Sequence, residues 1–267
     1  MVFMIVFAVA APLLTVALYF ACLQMISPFW MIPIAFGIFA VLVLTAAVYL
    51  CATSLLFSKK QPDRPSRYHR FIATQALQFV LMFLQVRIKV RGRELLPKEP
   101  FILVSNHRSA MDALAAFQAF ADRKLAFVAK MPVMKYPIVG PYLMHCCALG
   151  IERDKPLQSL RVINRAAKYV KEEKLSFGIY PEGTRTKTGR VGPFKSGAFL
   201  AAKKADAPVV VMTTEGTEKI WSRIPFRRPR ITLTVKAVIA QETVRAETPE
   251  ELAERARDII VTALGEK

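Results

Sequence analysis

No charged side chain occurs before Lys59, although the 267-residue chain holds 38 basic and 20 acidic residues. An uncharged apolar block of that length has to be buried somewhere, and the polar remainder of the chain is a poor cover for it. A change of composition near Ser27-Pro28 divides the block into residues 1–26 and 29–57. As helices these would be about 39 to 44 Å long, against roughly 30 Å of bilayer hydrocarbon, so both can span. We therefore read residues 1–58 as a membrane helical hairpin. A secretory signal is the competing reading, but the stretch has no basic n-region and the second apolar run would stay unexplained. Pro12, Pro28 and Pro33 keep open a hairpin that re-enters one leaflet, because proline breaks or kinks a helix.

Lys59, Lys60, Arg64, Arg67 and Arg70 follow the second run, opposed only by Asp63. Basic flanks stay on the cytoplasmic side, so the rest of the chain is expected there, at a membrane and by preference a bacterial plasma membrane. All the charges fall within residues 59–267, which suit a single globular domain of ordinary size. Within it, residues 59–85 read as a basic linker followed by an apolar helix, interfacial or buried, and residues 86–267 as the catalytic domain. The net charge of +18 raises nucleic acid as a partner. No zinc-ligand spacing and no basic helix with a groove reader's periodicity accompanies it, so nucleic acid is set aside. Anionic lipid surfaces and phosphorylated substrates account for the charge better. The four cysteines are two in the apolar runs, Cys22 and Cys51, and the adjacent Cys146 and Cys147; all read as buried thiols rather than metal ligands.

Beyond residue 85 apolar runs alternate between two periods. Residues 86–90, 101–104, 125–128, 176–180, 209–213 and 231–238 read as strands, and 110–120, 157–173, 197–205 and 249–264 as helices. That order predicts an α/β fold. Two of the strands run directly into strings rich in reactive groups, NHRSAMD and YPEGTRT, and ligands in open α/β sheets bind at the carboxyl ends of strands.

In the first string His107 has a carboxylate, Asp112, five residues on. On one continuous helix such positions lie about 140° apart, so a contact requires the histidine in the loop and the aspartate in the first helical turn. There Asp112 would fix the tautomer and leave the other ring nitrogen free to take a proton from a hydroxyl. His69 and His145 lack such a partner and read as structural. Ser105 and Ser109 raise a serine nucleophile, but no GxSxG elbow occurs in the chain. In the second string Gly183 lets backbone approach an anion, with Glu182 before it and Thr184 after, and Arg185 can grip a phosphate bidentately. Arg153 in LGIERDK and Lys195 in PFKSGAF are further basic candidates, since each also follows an apolar run.

NHRSAMD resembles the His-x4-Asp box of the glycerolipid acyltransferases, YPEGTRT resembles their phosphate-binding box, and LGIERDK is similar to the arginine-ended block between them. VAKMPVMKYPIVGPYL and PFKSGAFLAAKKADAPVVV are similar to the same family in the same order, so the resemblance covers residues 86–215. It implies a single domain with a mixed sheet flanked by helices. It also implies transfer of an acyl group from acyl-CoA or acyl carrier protein to the 2-hydroxyl of lysophosphatidic acid, giving phosphatidic acid, with no metal or redox cofactor. His107 would be the base and Asp112 its orienting partner. Arg153, Glu182, Gly183, Thr184 and Arg185 would form the acceptor site, Arg185 nearest the phosphate. Two departures stand out: Tyr180 replaces the commoner phenylalanine before Pro181, and the segment at 207–212, near the family's acyl site, keeps Pro208 but lacks a second proline. Another lysolipid or glycerol 3-phosphate is the alternative acceptor, and a serine lipid hydrolase the alternative reaction.

Overall fold

The computed structural model describes residues 2–21, 28–56, 60–152, 154–186, 190–220 and 228–266. Two N-terminal helices, α1 (Val2–Ala21) and α2 (Met31–Leu56), pack on one another and expose Leu13, Phe20, Phe36, Leu44 and Leu55. Two threonine hydroxyls turn back onto their helix: Thr15 donates to the Ala11 carbonyl at 2.7 Å and Thr45 to that of Val41 at 2.8 Å. Such back-bonding satisfies those hydroxyls without water. Among the described residues Met31–Leu56 is the helix long and apolar enough to cross a membrane, and α1 contributes the shorter apolar stretch Val9–Leu18. Lys59 and Cys22 lie outside the described residues. Cys51 is exposed on α2, which corrects the expectation of a buried thiol there.

Helix α3 (Arg67–Phe83) begins at Ser66, whose hydroxyl accepts from the His69 amide at 3.3 Å, so the linker ends at an ordinary N-cap. One face sinks Ile72 and Leu81 into the domain while Phe71, Val80 and Phe83 stay exposed. The helix thus belongs to the folded domain without being wholly buried. Its neighbour α6 (Val139–His145) carries Tyr142, whose hydroxyl meets that of Thr53 from α2 at 2.9 Å and ties the hairpin to the domain.

The strands of the described residues are β1 (Arg87–Arg91), β2 (Ile102–Ser105), β3 (Ala126–Lys130), β4 (Leu149–Ile151), β5 (Phe177–Ile179), β6 (Val209–Glu215) and β7 (Arg230–Ile239). They form one sheet in the order β1-β7-β6-β2-β5-β3-β4, parallel except for the β6–β7 pair, and so mixed. The central strands β2 and β5 are buried along their whole length, as strands covered on both faces must be, and this is why they read as unbroken apolar runs. Side chains alternate between two cores. Ile102, Val104, Phe177, Val209 and Val211 meet α7 (Pro156–Glu172), α8 (Gly197–Ala205) and the final helix. Phe101, Leu103, Val210, Met212 and Leu233 meet α3 and α4 (Met111–Ala119).

The structure adds elements that the apolar runs did not predict. β4 is a three-residue edge strand, too short to show a period. The helices α5 (Met131–Met134), α6 and α9 (Gln241–Ala246) are one or two turns long. The last helix, α10 (Pro249–Leu264), carries a full capping box between Thr248 and Glu251 and stops at Gly265, which adopts φ +66°.

Candidate active site

Strands β2 and β5 are parallel neighbours with Val104 opposite Ile179, so the strings that follow them emerge side by side at the carboxyl edge. Asn106 secures the first string. Its side-chain oxygen accepts from the Thr214 amide at 2.8 Å and its amide nitrogen donates to the Thr214 carbonyl at 2.9 Å, an added rung between β2 and β6. Ser105 is 1% exposed and its hydroxyl pairs with that of Thr214 at 3.0 Å. Ser109 accepts from the Met111 amide at 3.2 Å. Both serine hydroxyls serve the backbone or a neighbouring threonine, and neither is paired with His107.

His107 lies in the loop and Asp112 in the first turn of α4, and His107 Nδ1 meets Asp112 Oδ2 at 2.8 Å. A carboxylate only accepts, so the proton sits on Nδ1 and Nε2 carries the lone pair of the neutral ring. Asp112 is fully buried, and its charge is met on every side. Oδ2 also accepts from the amides of Arg108 at 2.7 Å and Ser109 at 2.8 Å, while Oδ1 takes the hydroxyl proton of Thr217 from the turn after β6. Its place at the start of α4 adds the favourable end of the helix dipole.

The second string is tied to the first through Glu182. Expected in the acceptor site, this carboxylate instead points inward: Oε1 accepts from the His107 amide at 2.7 Å and Oε2 from the Gly192 amide at 3.1 Å. Burial pushes its pKa up, and those two amides pull it part of the way back. Glu182 is a brace between loops, each of its oxygens accepting from a backbone amide. The Thr186 amide adds a bond to the His107 carbonyl at 2.9 Å.

Gly183 adopts φ +74°, and a Cβ there would lie 3.3 Å from Lys195 Cε and 3.4 Å from its Nζ. The ammonium group of Lys195 is therefore beside the Gly183 backbone, which brings the two expected residues together. Thr184 and Arg185 are exposed, and Arg185 has no ion pair among the described residues. Arg153, the remaining candidate, lies outside the described residues. An imidazole poised as acceptor stands next to a glycine turn flanked by two cations, an arrangement suited to deprotonating a hydroxyl on an anionic molecule.

Several contributors had no sequence signal. Thr217 is separated from Asp112 by 105 positions. Glu266 pairs with Arg108 at 2.9 Å and accepts from the Val191 amide at 2.7 Å, while Arg257 donates to the Gly192 carbonyl at 3.1 Å. The far end of α10 thus holds the loop that supplies Gly192 to Glu182. His69 and His145 stack on each other at 4.3 Å in α3 and α6, away from the other histidine. The buried thiols of Cys146 and Cys147 are pushed up by burial to about 12 and about 11 and are inert at neutral pH. Among the described residues no group of three His, Cys, Asp or Glu is placed to hold a metal.

Residues 87–215 match the family model described as Acyltransferase. The chain's relatives bear a more particular name. The chain is 32% identical over 157 residues to a 1-acyl-sn-glycerol-3-phosphate acyltransferase of Limnanthes douglasii, covering 59% of this chain and 55% of the relative. It is 28% identical over 189 residues to the protein of that name from Saccharomyces cerevisiae, covering 69% and 62%. The chain thus spans only somewhat more than half the length of these curated relatives. The crystal structure of the 1-acyl-sn-glycerophosphate (LPA) acyltransferase from Thermotoga maritima has the same fold, with a TM-score of 0.61 at 22% identity over 82% of this chain and 87% of that one.

Proposed function

We propose that this protein is a membrane-bound acyltransferase that moves a fatty acyl group from acyl-CoA or acyl carrier protein to the 2-hydroxyl of lysophosphatidic acid, giving phosphatidic acid. The observation that carries the reading is the buried Asp112 at 2.8 Å from His107 Nδ1, on the same sheet edge as the Gly183 turn and its cations. The names of the sequence relatives support the acceptor.

An alcohol is a weak nucleophile at neutral pH, so its proton must leave as the new bond forms. His107 Nε2 takes that proton while the 2-oxygen attacks the thioester carbonyl carbon. The C–S bond then breaks, and the imidazolium returns the proton to the departing thiolate. Asp112 holds the ring and offsets its transient charge, as in triads, but no enzyme nucleophile is needed because the thioester is already activated. Arg185 and Lys195, with the backbone at Gly183 and Thr184, receive the acceptor's phosphate, and Arg153 is assigned to the same task. The step calls for no metal or redox cofactor.

Lysophosphatidic acid and its product reside in the bilayer, and α1 and α2 would hold the site at headgroup level on the cytoplasmic face, in a bacterial plasma membrane. The basic linker from Lys60 to Arg67 would face anionic lipid there. The test is phosphatidic acid formation by the purified full-length protein in detergent, with lysophosphatidic acid, other lysolipids or glycerol 3-phosphate, and each donor in turn. Removing a general base lowers turnover by about 10²–10⁴-fold, which is the loss expected for His107→Ala. Equal product from the native and His107→Ala proteins would refute the reading.

A further inference from the structure

Three flat rings stand in a row behind the site: Phe127 from β3, Tyr180 at the end of β5, and His107. Phe127 and Tyr180 are parallel within 10° at 5.9 Å between centroids, and Tyr180 and His107 within 22° at 4.3 Å. We propose that Tyr180, backed by Phe127, is a positioning residue for the His107 imidazole, acting through the face of its ring; the proposal rests on the general-base role of His107.

The row is built into the sheet. β3 and β5 are paired with Phe127 opposite Gly178, and a Cβ on Gly178 would fall 2.2 Å from Phe127 Cε1 and 2.5 Å from its Cδ1. Glycine is thus what allows the Phe127 ring to lie across β5. Tyr180 is two residues further along and so on the same face, where Phe127 meets its ring. The tyrosine hydroxyl is not what holds it there. That oxygen is buried without a hydrogen-bond partner among the described residues, and burial followed by the Asp112 charge pushes the phenol well above its ordinary pKa.

The imidazole needs such a support. Among the described residues its ring makes one hydrogen bond, Nδ1 to Asp112, a single point about which the ring can pivot, and pivoting swings Nε2 away from the acceptor hydroxyl. A flat ring at 4.3 Å removes that freedom. The same π-face also accommodates the imidazolium formed once the proton is taken.

The test uses the full-length protein with three substitutions, Tyr180→Met, Tyr180→Phe and Gly178→Ala. Two measurements are made: kcat and KM for lysophosphatidic acid, and the downfield Nδ1 proton resonance of His107, assigned by its loss in His107→Ala. Misplacing a catalytic group by about 1 Å costs up to about 10²-fold, so Tyr180→Met is expected to lower kcat by about 10- to 100-fold, with KM nearly unchanged and the proton signal broadened. Tyr180→Phe restores both, and Gly178→Ala, which pushes Phe127 aside, reproduces the loss. If Tyr180→Met does not fold, the comparison of Gly178→Ala with native protein decides by the same two measurements. Retention of kcat and of the sharp proton signal in Tyr180→Met or Gly178→Ala would overturn the proposal, as would a Tyr180→Phe protein as impaired as Tyr180→Met. A native protein inactive on every acceptor would sink the acyl-transfer reading, while the proton resonance would still report whether the stack orients the ring.

Discussion

Replacing Thr217 with valine separates the charge of Asp112 from its surroundings without opening a cavity. Among the described residues the Thr217 hydroxyl is the one donor to Oδ1, whereas Oδ2 has three, and the carboxylate is fully buried so that no water takes the lost place. A hydrogen bond to a charged group contributes about 1.5–3 kcal/mol, and valine matches threonine in shape, so Thr217→Val should destabilise the domain by about that amount. The structure supplies an internal control. Thr213, also fully buried, has a hydroxyl with no partner among the described residues, so Thr213→Val should be neutral or stabilising. Urea unfolding of the full-length protein in detergent measures both. With the carboxylate freer to rotate, kcat of Thr217→Val should also fall while that of Thr213→Val holds. Equal stability losses in the two variants, or a loss below about 0.5 kcal/mol for Thr217→Val, would show that the hydroxyl does not hold the aspartate.

Other consequences can be checked alongside. Glu266→Ala removes both the Arg108 pair and the bond to the Val191 amide, so amide exchange at Val191 and Gly192 should accelerate and kcat should fall. Glu182 has a folded pKa raised above its unfolded value. Its contribution to stability is therefore fully present below the unfolded pKa, near 4.5, and lost as pH rises through the folded pKa. Subtracting the Glu182→Gln urea midpoint from the native one across that window should give a difference that declines with rising pH; a flat or rising difference would contradict the burial argument. Arg185→Ala and Lys195→Ala should raise KM for a phosphate-bearing acceptor by about tenfold or more with little change in kcat, since a phosphate contact is made equally before and during reaction. An unchanged KM would remove those cations from the acceptor site.

Legibility in the sequence followed the range of the interactions. The β2 and β5 runs could be read because both faces of each strand are buried. His107 and Asp112 could be paired because a five-residue spacing has one geometry that allows contact. Strand β4 could not be read because three residues show no period, and its partner β3 is 21 positions away in the chain, Val128 opposite Leu149. The resemblance assigns Glu182 to the acceptor site, and in the fold its oxygens accept from two backbone amides. Its neighbours Gly183 and Arg185 suggest an anion site, while the His107 and Gly192 amides that claim its oxygens are invisible until the chain is folded. The helix at Arg67–Phe83 resisted assignment for a similar reason, since its apolar residues face in more than one direction and only packing shows which of them are covered.

The bond from Thr217 to Asp112 and the pair from Glu266 to Arg108 reach across 105 and 158 positions of sequence. During synthesis the histidine box therefore leaves the ribosome long before the segments that complete it. At roughly 5–20 residues per second, about 8 to 32 seconds separate His107 from the translation of Glu266. A nascent chain lacks the completed arrangement of His107, Asp112 and Thr217 during that interval, and the proposed activity would arise only when late segments dock onto an early one.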